Sequence, residues 1–398
     1  MSSNNRVLII GGNKKVLKKA KNLNIEIISI QKKSTFKDEL LEYADITYQV
    51  DDYEDINSLG PLVSKIYSEH PFRCAISLTE YGLIPAAYVN EMLNLPGNPL
   101  KTVKLLKNKQ DMRFFLNEKG ISPVQFEVGT QLDDIKRFID ECNGNIIVKP
   151  IDGSGSLGIF KIENICDAEL KWEQIKKVGA IPFIMEEYLD GPEISVEAFS
   201  FSGKHNIIAI TDKLIQENFV EIGHCVPSNI NPELKVEVEK LVKEFLSTIG
   251  LNNGPSHTEI KLTSKGPKIV ESHNRIGGDS INELVLIANE IDMLTLTFQW
   301  AFGLSEPITY PIIPKRGSAI RFITPSAGIV KEINGVEEVS ASPYIEEFKF
   351  DIKIGDEIQP LHHSLDRKGY IIARGEDSKE ALANCNSLLS KIIVDTAI

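Results

Sequence analysis

Short apolar runs typical of buried strands alternate with helical segments over residues 6–110. The runs at 6–10 and 25–30 flank a helical stretch at 14–23, and a third strand is predicted at 74–78. Strands that alternate with helices pair in parallel, because each helix carries the chain back to the same end of the sheet. The pattern predicts an α/β domain in which helices cover both faces of a parallel sheet.

The remainder of the 398-residue chain divides into two further regions, and the first of them has two parts. Residues 111–190 alternate helix and strand signals around a glycine-rich turn, whereas residues 193–310 are rich in strands. A stretch containing Pro307, Pro311 and Pro314 marks a boundary, and short strands and a final helix follow it. We expect three domains: residues 1–110, residues 111–315 with a lid subdomain at about 111–190, and residues 316–398.

The charge balance argues against a nucleic-acid partner. The chain has 44 basic and 56 acidic residues and a net charge of −12, so its surface repels phosphates unless basic residues cluster. Its apolar runs are far shorter than the roughly 20 residues that a membrane span needs. The N-terminus lacks a signal-peptide pattern and the five scattered cysteines form no C-x-x-C pair. We therefore expect a cytoplasmic protein with reduced thiols and no membrane partner.

The strongest local signal is a lysine near the end of an apolar strand, followed by a glycine-rich loop. Lys149 lies in the strand predicted at 146–150, where its ammonium group can reach a phosphate. Glycines let the backbone N–H groups of a loop approach phosphate oxygens without steric cost. The G-x-x-x-x-G-K-[ST] pattern is absent, so this is not a Walker loop, and a flexible hairpin is the alternative. The loop residues are Gly153, Ser154, Gly155, Ser156, Leu157 and Gly158.

Two carboxylates on separate predicted strands indicate a divalent cation. Neighbouring strands would place Glu259 beside Glu271, and the two-residue repeat of a strand puts His273 on the same face as Glu271. Two carboxylates at contact distance repel unless a cation lies between them, and magnesium favours such hard oxygen ligands. Arg275, further along that face, would neutralise an anion.

This ordered set of residues resembles the ATP-grasp superfamily, and the resemblance covers nearly the whole chain. It implies that the protein binds ATP together with Mg²⁺, or Mn²⁺ in its place. Lys109 and Lys149 would hold the ATP phosphates, and the loop 153–158 would cover them. The resemblance also implies a nucleoside site formed by Glu186, Glu187 and Leu189 at the adenine and by Glu193 at the ribose.

The metal site that the resemblance implies departs from the family pattern at one position. Glu259 and Glu271 match the metal-binding carboxylates of the family, which usually has Asn two residues after the second of them. This chain has His273 there, so the metal role of His273 stays open. The N-terminal α/β domain and the C-terminal domain of small strands resemble those that flank the ATP-grasp module in the biotin-carboxylase-like branch.

A further segment narrows the resemblance to bacterial L-amino acid ligases, which make dipeptides. Residues 219–227 contain Glu221 and His224, and Arg275 begins the sequence R-I-G-G-D, which includes Gly278. The resemblance implies that Glu221 binds an α-ammonium group and that His224 orients a substrate or handles a proton. Gly278 would let the chain approach an acyl phosphate, and Arg275 would stabilise an oxyanion.

The function that this resemblance implies is an ATP-dependent, ADP-forming ligase that joins two L-amino acids through an aminoacyl phosphate. Three alternatives stay open. The first is attachment of an amino acid to a carrier protein or another amine, and the second is a purine or carboxyl-transfer enzyme of the same superfamily. The third, from a different class, is a non-catalytic nucleotide-binding protein. The expected partners are ATP and small amino acids, with a second copy of the chain, as a homodimer, as a further candidate.

Overall fold

The computed structural model describes residues 5–151 and 157–397, and within these ranges the chain forms four β-sheets. The described helices include none that is long and apolar enough to cross a membrane. The sheets are arranged as an N-terminal α/β domain, a lid, one large central sheet and a small C-terminal sheet.

The N-terminal domain is the α/β unit that the sequence predicts. Its four parallel strands are ordered β3-β2-β1-β4. Val7 and Ile9 pack with helix α1 on one face of the sheet, whereas Leu8 and Ile10 pack with helices α2 and α3 on the other. The elements are β1 (Arg6–Ile10), α1 (Lys14–Asn22), β2 (Glu26–Lys32), β3 (Ile46–Val50), α2 (Ile56–Glu69), β4 (Cys74–Ile76) and α3 (Leu83–Met92).

Strand β3 is absent from the sequence prediction. It lies at an edge of the sheet, and Ile46, Tyr48 and Val50 pack against the core from one face. The alternation in Ile-Thr-Tyr-Gln-Val was therefore a usable signal for an edge strand.

The lid is a four-stranded antiparallel sheet ordered β5-β8-β6-β7 and covered by two helices. Helices α4 and α5 connect it to the N-terminal domain. The elements are α4 (Leu100–Lys107), α5 (Lys109–Glu118), β5 (Phe126–Gly129), α6 (Leu132–Cys142), β6 (Ile146–Pro150), β7 (Phe160–Ile162), α7 (Ile165–Lys177) and β8 (Phe183–Glu187).

The central sheet has eight strands in the order β13-β12-β9-β10-β11-β14-β18-β16. Helices α5 and α8 cover part of one face, and helices α9 and α10 pack against the other. Its first part comprises β9 (Glu193–Phe201), β10 (Lys204–Ile215), β11 (Glu221–Val226), α8 (Pro232–Thr248), β12 (Gly254–Thr263), β13 (Gly266–His273), α9 (Ile281–Asn289) and α10 (Met293–Ala301).

The C-terminal residues extend the central sheet. Strand β11 pairs with β14, so the sheet continues across the boundary proposed at residue 315. A separate sheet, ordered β17-β15-β19, closes the chain. The elements are β14 (Gly317–Phe322), β15 (Gly328–Asn334), α11 (Val336–Ser340), β16 (Ile345–Phe350), β17 (Glu357–Ile358), β18 (Gly369–Gly375), α12 (Ser378–Leu389) and β19 (Ile393–Ala397).

The helical stretch that follows β13 is divided into two helices, α9 and α10. Glu290 adopts a left-handed conformation with φ of 58°, which ends α9. Asp292 then caps α10, because its side chain accepts hydrogen bonds from the backbone N–H groups of Leu294 and Thr295.

Candidate active site

A cavity lies where the lid, the central sheet and the loop after β13 meet. Most of the residues that the sequence singles out line it, although they come from segments far apart along the chain. Its charged lining residues are Lys109, Lys149, Glu186, Glu187, Glu193, Lys213, Glu221, Glu259, Lys261, Glu271, Arg275 and Asp279, and His224, His257 and His273 lie among them.

The two lysines predicted to hold phosphates both reach this cavity. Lys149 lies in β6, and its Nζ donates to Glu186 Oε2 at 2.6 Å. Lys109 lies at the start of α5, with its Nζ 3.4 Å from Glu271 Oε2. Each ammonium group is therefore fixed by a carboxylate and carries a positive charge into the cavity.

Glu186 is the buried anchor of the lid. Its second carboxylate oxygen accepts a hydrogen bond from Arg113 Nε at 2.6 Å. Burial would raise the pKa of Glu186, but the charges of Arg113 and Lys149 outweigh it and lower the pKa to about 2. The side chain predicted at the adenine thus holds two cations in place.

The rest of the predicted nucleoside site lies at the end of β8 and the start of β9. The Glu187 carboxylate accepts a hydrogen bond from the backbone N–H of Gln125 at 3.0 Å, and Leu189 lines the cavity beside it. Glu193 accepts hydrogen bonds from Lys213 at 2.6 Å and lies 3.4 Å from Lys261. These contacts fix the orientation of Glu193 at the position predicted for the ribose contact.

The predicted phosphate cover is only partly described. Gly153, Ser154, Gly155 and Ser156 lie outside the described residues. Leu157 lines the cavity, and Gly158 follows it in a left-handed conformation with φ of 75°. A side chain at Gly158 would be strained by this conformation and would also lie within 3.1 Å of Pro150.

Lys213 of β10 joins three of the predicted site carboxylates. Its Nζ lies 2.6 Å from Glu193, 2.7 Å from Glu259 and 3.5 Å from Glu221, and its side chain is only 2% exposed. Burial would lower the pKa of Lys213, but the three carboxylates outweigh it and hold the pKa well above its usual value. One buried ammonium group therefore stabilises charges assigned to the ribose, the metal and the amino acid.

The predicted metal carboxylates are neighbours, as the strand pattern requires. Glu259 of β12 and Glu271 of β13 are paired across the two strands. Burial would raise both pKa values, but Lys213 lowers that of Glu259 to about 2 and Lys109 lowers that of Glu271 well below its usual range. Both groups are thus ionised, as metal ligands must be.

These two carboxylates fit a magnesium ion. Magnesium is usually bound by one or two protein carboxylates together with substrate phosphates, and this pair faces the cavity that the phosphate lysines line. Residues 5–151 and 157–397 contain no group of three or more His, Cys, Asp or Glu side chains that could hold a metal ion. His273 lies 3.3 Å from Glu271 and 3.5 Å from Glu80, so it already has two carboxylate neighbours.

His257 supports the metal pair from behind. Its Nδ1 contacts the buried Glu197 at 2.9 Å and its Nε2 lies 3.4 Å from Glu259. Burial would lower the pKa of His257, but Glu197 and Glu259 raise it to about 9. The protonated ring therefore donates toward Glu259 at neutral pH and orients it.

The remaining predicted residues lie beside the metal pair, because Glu221 shares Lys213 with Glu259. Glu80 follows β4 and accepts a hydrogen bond from Arg275 Nε at 2.7 Å, so a residue of the N-terminal domain holds Arg275 in place. His224 Nε2 lies 3.1 Å from Asp279 Oδ2, and Ser364 donates to Glu221 at 2.9 Å. This part of the site presents both signs of charge.

Gly278 lines the cavity next to Asp279 and is exposed. A Cβ built there would meet nothing within 4 Å among the described atoms. The protein itself therefore does not require glycine at this position, and only a ligand that approaches the backbone closely would do so.

Several functional contacts are missing from the sequence analysis. The residues that belong to the site or support it, but were given no role there, include Glu80, Lys213, His257, Asp279, Ser364 and Arg367. An uncharged environment is expected for an inward residue of a strand, so the lysine within Ile-Thr-Asp-Lys-Leu-Ile was a usable signal. Ser364 and Arg367 carried none, because only the fold brings the C-terminal residues to β11.

The sequence was compared with the profiles of known protein families. Three family profiles match successive parts of the chain. They are the ATP-grasp N-terminal domain at residues 17–97, the ATP-grasp domain at residues 142–283 and the L-amino acid ligase C-terminal domain 2 at residues 321–397.

Two of the relatives that this chain resembles are named as amino acid ligases. The chain is 25% identical to an L-arginine-specific L-amino acid ligase of Bacillus subtilis over 348 residues, which cover 84% of each chain. It is 29% identical over 223 residues to alanine–anticapsin ligase of Bacillus subtilis (strain 168), a match to half of this chain and 47% of that one. The chain thus spans about half the length of the latter relative.

A solved structure shares the whole fold. The L-amino acid ligase from Bacillus licheniformis superimposes with a TM-score of 0.86 at 22% sequence identity, and the match covers 100% of both chains. The chain therefore shares its fold with that enzyme. Successive segments match the ATP-grasp N-terminal domain, the ATP-grasp domain and the L-amino acid ligase C-terminal domain 2, in agreement with the resemblance found in the sequence.

The cluster around Lys213 predicts a large effect on stability. Replacing Lys213 by Met leaves Glu193, Glu221 and Glu259 without their shared cation, which should lower the free energy of unfolding by about 3–5 kcal/mol. Adding Glu259→Gln should recover part of that loss, because it removes one of the repelling charges. Urea unfolding measures both.

The matched control is Lys240→Met, which removes an exposed lysine from α8 and should change little. Lys213→Met as stable as this control would contradict the assignment. So would a double variant no more stable than Lys213→Met alone.

Glu186 predicts an acid-sensitive lid. Its pKa is lowered from about 4.5 in the unfolded chain to about 2, so its contribution is complete above pH 4.5 and disappears as the pH falls toward 2. The change amounts to roughly 3 kcal/mol. Glu186→Gln should destabilise the lid at neutral pH but lose less stability over this interval.

The fluorescence of Trp172, which packs against Phe183 in the lid, reports this unfolding when Trp300 is replaced by Phe in every variant. Glu141→Gln, which alters an exposed carboxylate of α6, is the control and should follow the wild type. Parallel acid profiles for wild type and Glu186→Gln would show that Glu186 does not carry this dependence.

Proposed function

We propose that this protein is an ATP-dependent, ADP-forming ligase that joins two L-amino acids into a dipeptide through an aminoacyl phosphate. The observation that carries the proposal is the composition of one cavity. Two lysines suited to phosphates and a pair of ionised carboxylates line it, together with an anionic and a cationic group suited to an α-amino acid.

ATP would bind between the lid and the central sheet. Lys149 and Lys109 would contact its phosphates, with Glu193 at the ribose and Leu189 beside the adenine. Glu259 and Glu271 would hold Mg²⁺, which neutralises phosphate charge when it is bound. Glu186 and Glu271 already hold the two lysines in place, so the lysine side chains would lose little conformational entropy when ATP binds.

The first amino acid would lie beside the metal pair, because Glu221 and Glu259 both contact Lys213. Glu221 faces the cavity with its carboxylate fixed by Lys213 and Ser364, and it would accept the α-ammonium group. Arg275, held by Glu80, would bind the α-carboxylate and direct it to the γ-phosphate. A free amino acid presents these two charges two bonds apart, which suits paired groups of opposite sign.

The reaction would proceed in two transfers. A carboxylate oxygen attacks the γ-phosphorus, the bond to the bridging oxygen of ADP breaks, and an acyl phosphate forms. The amine of the second amino acid then attacks the acyl carbon, and inorganic phosphate leaves with the original carboxylate oxygen. Arg275 and the backbone at Gly278 would stabilise the charge that develops on the carbonyl oxygen.

Proton transfer from the attacking amine needs an acceptor near the acyl carbon. His224 is a candidate, since Asp279 binds its Nε2 and its Nδ1 is buried with no hydrogen-bond partner among the described residues. Glu221 and Glu80 are the other candidates. Exclusion of water from the closed cavity would protect the acyl phosphate from hydrolysis.

The assay for this function is phosphate release from ATP with L-amino acids supplied singly and in pairs, with mass spectrometry of the products. We expect ADP, phosphate and a dipeptide in equal amounts, and loss of most turnover in Glu271→Gln or without Mg²⁺. Dipeptide formation with AMP as the product, or unaltered turnover in Glu271→Gln, would contradict the proposal.

The same assay separates the alternatives. Hydroxylamine traps an acyl phosphate as a hydroxamate, so a single amino acid that gives a hydroxamate but never a dipeptide would indicate a carrier protein or another amine as acceptor. Phosphate release with bicarbonate but not with amino acids would favour a carboxyl-transfer enzyme. Nucleotide binding without turnover would indicate the non-catalytic alternative.

Glu221 provides a second prediction. A buried ammonium group without its carboxylate partner costs several kcal/mol, so Glu221→Ala should lower kcat/KM for the first amino acid about 100-fold or more. ATP affinity should change far less. Replacing the first substrate by its des-amino analogue should cost a similar amount, and the two changes together should cost less than their sum.

The control is Glu217→Ala, an exposed carboxylate in the turn before β11, which should match the wild type. If wild type activates des-amino acids as well as amino acids, Glu221 does not bind the ammonium group.

A further inference from the structure

An arginine of the C-terminal region, Arg367, contacts two residues that line the cavity, Glu221 and Asp279. Arg367 lies between β17 and β18 and is 10% exposed. Its guanidinium binds Asp279 with two hydrogen bonds, Nη1 to Oδ2 at 2.8 Å and Nη2 to Oδ1 at 2.5 Å. Bidentate pairs of this kind fix both partners in one geometry.

The other contacts of Arg367 hold it rigidly. Its Nε donates to the carbonyl oxygen of Ser364 at 2.6 Å, and its Nη1 lies 3.2 Å from the carbonyl oxygen of Glu221. The guanidinium carbon lies 3.7 Å from the centre of the Phe322 ring, which is a cation–π contact. One side chain therefore links the segments that carry Glu221, Asp279 and Ser364, all of which line the cavity.

Asp279 is placed where its charge would reach a substrate. It follows Gly278 in the cavity wall, and both it and Ser280 adopt left-handed conformations, with φ of 52° and 59°. Such backbone persists in non-glycine residues only where the surroundings hold it. Arg367 and His224 are the partners that hold the Asp279 side chain.

We infer that Arg367 is a specificity-determining residue that neutralises Asp279 and thereby adapts the cavity to a first amino acid with an uncharged side chain. The inference rests on the proposed function. Among the carboxylates around the proposed amino-acid site, Glu80 is paired with Arg275, Glu221 is assigned to the α-ammonium group, and Asp279 is matched by Arg367. An acyl-donor side chain with its own charge would find no unmatched partner among them.

Removing the arginine should reverse this preference. Arg367→Met leaves Asp279 as an uncompensated anion in the wall, which favours a cationic donor side chain that takes the place of the guanidinium. Asp279→Asn has the opposite effect, because it leaves Arg367 uncompensated and favours an anionic donor side chain. A general loss of packing would lower all rates together and would not shift the preference in opposite directions.

The experiment measures kcat/KM for neutral, cationic and anionic L-amino acids as acyl donors, trapped as hydroxamates, alongside ATP affinity. Wild type should prefer neutral donors. Arg367→Met should shift the ratio of cationic to neutral donors at least 10-fold upward with ATP affinity within about threefold of wild type. Asp279→Asn should shift the ratio of anionic to neutral donors upward, and the double variant should return to a neutral preference.

Arg374→Met is the matched control, since Arg374 is another arginine of the C-terminal domain that pairs with a carboxylate, Glu346, outside the cavity lining. Arg367→Lys keeps the charge and serves if Arg367→Met does not fold. It should retain the neutral preference at a lower rate.

The outcomes separate the inference from the proposed function. Absence of any amino-acid-dependent hydroxamate in wild type would overturn the proposed function. An active wild type that prefers charged donors would overturn the inference alone. Arg367→Met with the same donor ratios as Arg374→Met would also overturn the inference. So would a preference of Arg367→Lys for cationic donors.

Discussion

The arrangement of this site depends on a buried lysine between acidic side chains. Glu193, Glu221 and Glu259 converge on Lys213 from strands β9, β11 and β12, and without a cation their charges would repel one another in a low-dielectric setting. The lysine lets three anionic groups with different assignments occupy one cavity. Lys149 with Glu186 and Lys109 with Glu271 are similar pairs, in which a carboxylate fixes a lysine that we propose to contact the ATP phosphates.

The continuous central sheet explains how distant parts of the chain share the site. Strands β9 to β13 carry the carboxylates, and β11 pairs with β14 of the C-terminal region. This pairing brings the segment around Ser364 and Arg367 against β11, while Glu80 of the N-terminal domain reaches Arg275 from the other side. The part of the cavity proposed for the amino acid is therefore formed by all three regions, whereas the lid contributes Lys149 and Glu186 to the part proposed for ATP.

Local patterns predicted the parts of the site whose geometry depends on neighbouring strands. Glu259 and Glu271 lie on consecutive strands joined by a tight turn, so their pairing follows from the strand repeat, and the parallel N-terminal sheet follows from its alternating elements. Lys213 carries a local signal, a charged residue within an apolar strand, but its three carboxylate partners come from separate strands that only the folded sheet brings together. Asp279 and Arg367 are 88 residues apart, and only the completed sheet shows that they form a pair.

The central claim is that the carboxylate of one amino acid is activated by phosphoryl transfer in this cavity. The most direct measurement uses an L-amino acid labelled with ¹⁸O in both carboxylate oxygens, ATP, Mg²⁺ and an acceptor amino acid, with mass analysis of the released phosphate. The account predicts one ¹⁸O atom in each phosphate, because the acyl phosphate retains a carboxylate oxygen that leaves with phosphorus. Dipeptide formation with unlabelled phosphate would contradict it.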